Sequence, residues 1–477
     1  MANTTRADTP PLVLDVDGTF LRTDMLVESF WAGMHRRPLA TLAALRHLGD
    51  RSRLKAELAR IGQPRTDLMP VHPEIVELAH AAVAEGRELA LASASDRGLV
   101  EQLARDHNLP ARIFASDDRV NLKGAAKAQA LVDAYGEGGF DYAGNAPVDR
   151  AIWDKARLAI VVGDEPSARA LAAQGTPVQS FDERWRWRDL VRALRPHQWV
   201  KNVLLLLPMV AAQDVSPASL GLVLLGMICF SAAASSIYVA NDLLDLEADR
   251  QHATKRTRPF ASGAVPLTVG MGAGLCAGGV ALLGSALLGG GMFLITVFYM
   301  LLSLAYSLRL KRLRWVDIGI LAGLYTLRVV AGAAVTGLSV SAFLIGFIFP
   351  AFAALGAVKR LTEVTLAKTD ARLPGRDYAR PDRGKLLNLA LAGVVGAVLS
   401  FLAYGFSLQA AQLYPQRVFL WAAAVPLSWW LLRMVHQGYE GRQDYDPILF
   451  ALRDKRGIAL LLACLALLFF ASNQWTP

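Results

Sequence analysis

From residue 259 to residue 308 the chain carries no charged side chain at all, and further uncharged stretches cover 215–241, 329–358, 386–416 and 457–477. A membrane-spanning helix needs about 20 consecutive, mainly apolar residues, and each of these stretches is that long or longer. A chain built this way cannot fold as one soluble domain. Gly, Pro and short polar breaks divide the apolar part into nine expected spans, at 200–213, 218–239, 265–285, 288–306, 315–336, 341–358, 385–409, 417–434 and 457–473.

Charge is distributed just as unevenly. The chain has a formal net charge of +9, yet 26 of its 50 basic and 27 of its 41 acidic side chains lie in residues 1–200. The basic excess therefore belongs to the apolar part. Basic residues interleaved with long apolar runs mark the loops of a membrane protein rather than a nucleic-acid surface, so nucleic acid is excluded as a partner. Lys and Arg are concentrated after the second, fourth, sixth and eighth spans, whereas the loops on the other face hold only Arg417. Cytoplasmic loops carry this excess, so the reading is a multi-pass protein of the bacterial inner membrane, with Pro477 outside. The N-terminus lacks a basic region followed by an apolar run and a small-residue cleavage site, which keeps the first domain in the cytoplasm. An apolar content of 53% against 19% charged excludes disorder, and Cys229, Cys276 and Cys464, all within apolar runs, read as packing residues.

The first part alternates short β-rich runs with helical stretches: PLVLDV, a helical insert near 25–82, then ELALAS, RIFAS, FDYAG and LAIVVG. That alternation predicts a parallel α/β sheet. The boundaries expected are 1–178 for this domain, 179–199 for an interfacial linker helix rich in Trp and Arg, and 200–477 for the membrane domain.

The run LVLDVDGTF puts Asp15 and Asp17 at the carboxyl end of a strand, where α/β sheets hold their ligands. Strand alternation points both carboxylates to one side, so one can attack phosphorus while the other handles the leaving-group proton, with Mg²⁺ neutralising phosphate charge. This pattern resembles the haloacid dehalogenase superfamily across most of residues 10–175. The resemblance implies a Rossmann-like α/β fold with a small helical cap. It also implies Ser93 as the hydroxyl that holds the transferring phosphoryl group, Lys123 as the charge-stabilising lysine with Lys127 as the second candidate, and an acidic metal motif at AGNAPVD. In that motif Asn145 stands where the family has Asp, leaving Asp149 as the carboxylate.

After the second span comes NDLLDLEADRQHATKRTRPFASG, in which Asn241, Asp242, Asp245 and Asp249 follow at spacings of one, three and four. Residues three and four apart share a helix face, and carboxylates gathered there repel unless divalent cations lie between them, which points to Mg²⁺ bridging a diphosphate. Lys255, Arg256 and Arg258 follow at once and suit phosphate oxygens. The NDxxDxxxD stripe, the nine spans and a second polar loop resemble the UbiA-type intramembrane prenyltransferase superfamily over about 193–475, which implies an all-α transmembrane bundle. Within it, LRPHQWVKN, the NDxxDxxxDRxHxxKRxRPxASG run and YSLRLKR are similar to the polyprenyl-phosphate phosphoribosyltransferases.

That resemblance implies transfer of 5-phosphoribose from phosphoribosyl pyrophosphate to a polyprenyl phosphate lipid, with the soluble domain then removing the 5-phosphate, as in supply of a cell-wall arabinan precursor. It carries Asn241, Asp242, Asp245 and Asp249 over as the metal and diphosphate site and Lys201, Lys255, Arg256 and Arg258 as phosphate holders. Tyr306, Lys311, Asp317, Lys359, Arg360, Glu363, Arg376, Asp377 and Tyr378 are expected to complete the pocket. Arg328, alone inside the fifth span, reads as functional, paired with Asp317 or facing the polar cavity, or else as snorkelling to the interface. Two other readings stand beside this one: a prenyltransferase with an aromatic acceptor, and a lipid-binding or transport protein without catalysis. A homo-oligomer is compatible with all three.

Overall fold

A computed structural model describes residues 9–117, 121–182, 184–214, 216–373, 376–443, 450–451 and 453–472. The chain divides into two compact units, one formed by residues 1–194 with 238–274, the other by residues 195–237 with 275–477.

The first unit is built on a six-stranded sheet in the order β3-β2-β1-β4-β5-β6, in which every neighbouring pair is parallel. Its strands are β1 (Leu12–Asp15), β2 (Leu89–Asp96), β3 (Ala111–Ser116), β4 (Asp141–Gly144), β5 (Leu158–Val162) and β6 (Val178–Phe181). Side chains alternate across a strand, so Leu12 and Leu14 enter one core with Phe20, Leu91 and Leu103, while Val13 enters the other with Ala90, Tyr142 and Trp153. Both faces are covered, as an all-parallel sheet requires. The strand order reverses between β1 and β4, and ligands of such sheets bind in the crevice outside the strand ends at that point. Five strands lie where the sequence puts them. The sixth, β6, pairs with β5 beyond residue 178 and carries the sheet past the expected domain boundary.

Between β1 and β2 the insert forms helices Met25–Arg36, Pro38–Ala44, Arg51–Gly62 and Pro73–Ala84. Asp24 and Asp50 cap the first and third by accepting from the Val27 and Arg53 N–H groups. Ala44, Leu54, Leu58 and Ile61 bury against Leu26 and Phe30 to form a small helical cap. The segment 238–274 packs on this same unit: Leu243, Leu246, Phe260 and Val265 bury with Leu190 and Ala193 and against Val27 and Trp31.

Among the described residues, seven helices are long and apolar enough to cross a membrane: Pro217–Leu244, Leu267–Leu287, Gly290–Leu308, Val316–Thr336, Ala342–Leu366, Arg380–Tyr404 and Arg417–Tyr439. They correspond to the second through eighth of the nine expected spans. The first expected span is instead a 3₁₀ run, Pro196–Leu206, followed by the short helix Leu207–Ala211. Arg195 in the left-handed region and Pro196 set its start, and the backbone comes so close to the helix Val316–Thr336 that a Cβ on Gly332 would stand 2.0 Å from the Leu205 carbonyl oxygen. The ninth is the helix Lys455–Ala471, 17 residues long; residue 473, the end expected for it, lies outside the described residues. Of the cysteines, Cys229 and Cys464 are buried, but Cys276 is exposed on its helix.

Candidate active sites

At the carboxyl end of β1, Asp15 is 7% exposed and accepts a 2.6 Å hydrogen bond from the Nζ of Lys127, itself 4% exposed. Lys127 Nζ also donates to the Tyr142 hydroxyl at 3.2 Å. Burial drives the Asp15 carboxyl up to about 7 against the pull of Lys127, with the charges of Asp149 and Asp17 adding to the rise. Burial disfavours the Lys127 ammonium, but the Asp15 and Asp149 charges outweigh it and hold the lysine above its ordinary value. Lys127, not Lys123, is therefore the lysine at Asp15. The reason is helical position: Ala125–Tyr135 turns residue 127 inward, where it sits with Ala128 and Leu131, while Lys123 precedes the helix, exposed on the rim of the same cavity.

Asp17 lies two residues beyond the strand, where alternation no longer governs direction. Its Oδ1 accepts from the Met25 N–H at 2.7 Å and its Oδ2 from the Ser93 and Ser95 hydroxyls at 3.0 and 2.7 Å. Ser93 thus donates to Asp17, and Ser95, two residues on, does the same. Asp149 accepts from the Asn145 and Ala146 N–H groups, both at 3.2 Å, and from Tyr142 at 3.1 Å, which closes the turn after β4. Thr19 bridges Asp15 and Asn145 with contacts of 3.4 Å to each. A cavity of about 510 Å³ joins Asp15, Asp17, Asn145 and Asp149 to Arg51, Lys55, Lys123 and Lys127. Lys55 reaches the Ala94 carbonyl at 2.5 Å and Asn121 at 3.1 Å, and burial pulls its pKa down. Nothing in the sequence marked Lys55: it comes from the cap, 40 residues away from the strand.

The second acidic site departs from a single helical stripe. The long helix ends at Leu244 and a new one begins at Leu246, with Asp245 between them at φ −101° and ψ 15°. That break turns Asp245 toward a separate cavity of about 410 Å³, lined also by Glu28, Arg36, Arg65 and Glu247. Asp242 and Asp249, 3% and 2% exposed, instead converge on one guanidinium: Nη1 of Arg258 lies 3.1 Å from Asp242 and 2.5 Å from Asp249. Lys255 stands 3.9 Å from Asp249, and Arg256 is exposed. Burial raises the Asp249 pKa, with Arg258 opposing. Among the described residues, no three His, Cys, Asp or Glu side chains gather as a metal cage. The expected triad of carboxylates is therefore a pair neutralised by arginine, since like charges in a buried setting need a counter-charge between them. The residue types still suit a hard cation, and Asn241 Oδ1 is buried with no hydrogen-bond partner among the described residues.

In the second unit, Asp317 and Arg360, both fully buried, centre a closed network. Arg360 Nε donates to Asp317 at 2.5 Å, its Nη1 to Glu363 at 2.7 Å, and Tyr306 donates to Asp317 at 2.8 Å. Arg376 approaches Asp317 at 3.5 Å and Glu363 at 3.8 Å. The Tyr378 hydroxyl accepts from the Trp315 N–H, and Asp377 pairs with Arg372. Lys311 and Lys359 are half-buried, and Lys201 is buried with its ammonium 6.0 Å from the Tyr325 ring. Arg328 neither snorkels nor pairs with Asp317. It is 4% exposed and donates to Asn202, Tyr299 and the Leu324 carbonyl, because Asn202 of the 3₁₀ run lies against its helix and Asp317 is already held by Arg360.

The sequence is 32% identical over 456 residues to the uncharacterized y4nM protein of Sinorhizobium fredii, covering 93% of this chain and 88% of that one. It is 37% identical over 186 residues to the decaprenyl-phosphate phosphoribosyltransferase of Mycobacterium tuberculosis, covering 38% of this chain and 61% of the relative. A haloacid dehalogenase family hydrolase from Salmonella enterica serovar Typhi aligns at 16% identity with a TM-score of 0.27, over 36% of this chain and 67% of that structure. The UbiA prenyltransferase family matches residues 203–452, more than half of the sequence and most of its long apolar helices. With its sheet domain joined to these helices, the chain is a multi-pass membrane protein that belongs to the UbiA prenyltransferase family.

Proposed function

We infer that the protein is a two-step membrane enzyme: it transfers 5-phosphoribose from phosphoribosyl pyrophosphate to a polyprenyl phosphate, releasing diphosphate, and then hydrolyses the 5-phosphate. The observation that carries this reading is the convergence of buried Asp242 and Asp249 on Arg258, with the buried side-chain oxygen of the preceding residue, Asn241, left without a hydrogen-bond partner among the described residues. The named relative from Mycobacterium tuberculosis supports the choice of donor and acceptor.

In the first step an oxygen of the lipid phosphate attacks the anomeric carbon as its bond to diphosphate breaks. The leaving group takes the electron pair and gains negative charge. Arg258, with Lys255 and Arg256 next to it in the chain, supplies cations for those oxygens. Asn241, Asp242 and Asp249 would hold Mg²⁺, which when bound supplies further charge neutralisation to the diphosphate. The Lys and Arg excess in alternate loops supports a cytoplasmic location for both steps.

In the second step an Asp15 oxygen attacks phosphorus, the ribose O5 departs with a proton from Asp17, and an aspartyl phosphate forms. Asp17 then takes a proton from water as that water attacks phosphorus, releasing phosphate and restoring Asp15. Lys127 offsets charge on Asp15, and Ser93 and Ser95 fix the direction of Asp17.

The test is incubation of purified protein in lipid vesicles with ribose-labelled phosphoribosyl pyrophosphate and polyprenyl phosphate, followed by mass spectrometry of the lipid. Labelled lipid-linked ribose without a 5-phosphate is expected, and Asp15→Asn should accumulate the 5-phosphorylated lipid. Absence of ribose transfer overturns the first step, and identical lipid from both proteins overturns the second.

A further inference from the structure

Two clefts, each of about 510 Å³, reach the same floor of Asp17, Asp24 and Asn145. The first, described above, is lined with four basic side chains and suits the double charge of a phosphomonoester. The second is lined by Arg22, His72, Arg184, Trp185 and Arg186, and part of its wall is formed by residues 263, 264 and 266–268. That segment runs directly into Leu267–Leu287, a helix long and apolar enough to cross a membrane, and Leu267 and Thr268 line the cleft themselves. The wall is seated tightly. Gly263 has φ +74°, and a Cβ there would stand 2.7 Å from Arg22 Cβ and 3.0 Å from Pro70 Cγ. Arg22 is itself fixed by its N–H donating to the Pro70 carbonyl at 2.8 Å.

A phosphatase for soluble substrates has no need of a membrane helix at its mouth. We propose that the second cleft is the entrance for a membrane-anchored phosphomonoester: the phosphate end passes along it to the shared residues Asp17 and Asn145, and from there to Asp15 in the first cleft, while the lipid end stays beside the start of Leu267–Leu287. This assignment rests on the phosphatase reading above and deepens it by naming the path along which the lipid-linked substrate enters. The arginines flanking the path suit the second, diester phosphate of a lipid-linked sugar phosphate, and Trp185, 42% exposed, suits the apolar boundary.

Ala264→Trp and Thr268→Trp place bulk in the second cleft, whose lining includes neither Asp15 nor Lys127. With full-length protein in vesicles, kcat/KM is measured for a prenyl-phosphoryl ribose 5-phosphate and for free ribose 5-phosphate. Each variant should lower the ratio of lipid-linked to free substrate at least tenfold, and hydrolysis of the free ester reports that the domain is folded. An unchanged ratio, including equal loss on both substrates, overturns the entrance, as does an unaltered protein that hydrolyses only the free ester. If the unaltered protein hydrolyses neither, the phosphatase reading itself fails, a result distinct from an unchanged ratio.

Discussion

Glu28, on the first cap helix, and Arg250, one residue after the last aspartate of the NDxxDxxxD run, form a two-point ion pair: Nη2 to Oε1 is 2.6 Å and Nη1 to Oε2 is 3.0 Å. Both side chains are at most 5% exposed, Thr23 adds a 2.7 Å hydrogen bond to Glu28, and Arg250 Nε donates to the Ala261 carbonyl. A residue of the cap thus fixes the backbone that carries Asp249. Removing one partner of a buried pair leaves an uncompensated charge, at about 3–5 kcal/mol. Glu28→Ala and Arg250→Ala should each destabilise by that order in thermal unfolding, and the double variant by clearly less than their sum. Additive effects would show that the pair is not coupled.

Lys127 and Lys123 separate by the same logic of contact. Lys127→Met removes the only ammonium at Asp15 among the described contacts and should lower phosphomonoester hydrolysis by about 100-fold or more, the scale for loss of one preorganised charge-stabilising group. Lys123→Met should cost about tenfold at most, because that side chain is exposed on the cavity rim. Steady-state rates on ribose 5-phosphate decide the order; the reverse order would return the role to Lys123.

Arg258→Ala strips the shared counter-charge from Asp242 and Asp249. Burial already raises the Asp249 pKa with Arg258 opposing, so the loss should push it higher still. Ribose transfer to lipid should fall by about 100-fold, with hydrolysis of ribose 5-phosphate retained. Full transfer by Arg258→Ala would remove that arginine from the reaction.

Asp24 gives a pH signature. Burial, then the charge of Asp17, pushes its carboxyl from 3.8 up to about 6, against hydrogen bonds from the Val27 and Leu26 N–H groups. A carboxyl raised on folding binds its proton more tightly in the folded state. Its contribution to stability is therefore fully present below about 4 and declines as pH rises to about 6. Asn caps helices as well as Asp does, so Asp24→Asn should keep the helix and flatten that part of the profile. Melting temperatures at pH 4, 5 and 6 check this; an equal slope in both proteins would refute it.

Asp317→Ala leaves Arg360 fully buried with, among the described residues, Glu363 and Tyr306 to meet it, and should destabilise by about 3–5 kcal/mol. Tyr306→Phe removes one hydrogen bond and should cost about 1 kcal/mol. Equal losses in thermal unfolding would contradict the central place of Asp317.

What could be read without the structure followed local physical rules. Long apolar stretches divided at Gly, Pro and short polar breaks located seven long helices, and short apolar runs located five of six strands. β6 escaped because VQSF is short, half-buried and at the sheet edge. Asp15 and Asp17 were legible because a strand followed by DxDGT is a local signal. Ser95, Lys55 and the Glu28–Arg250 pair were not, since each acts on residues that only folding brings near.

Sequence alone therefore determined the membrane character and the parallel sheet, because apolar length and periodicity act over a few turns or strands. Only the tertiary structure decided that Lys127 rather than Lys123 meets Asp15, that Asp245 turns away from Asp242 and Asp249, and that Arg258 stands between those two. Each outcome depends on side-chain direction set by a helix start, a helix break or burial against a distant segment. Spacing along the chain does not encode those directions.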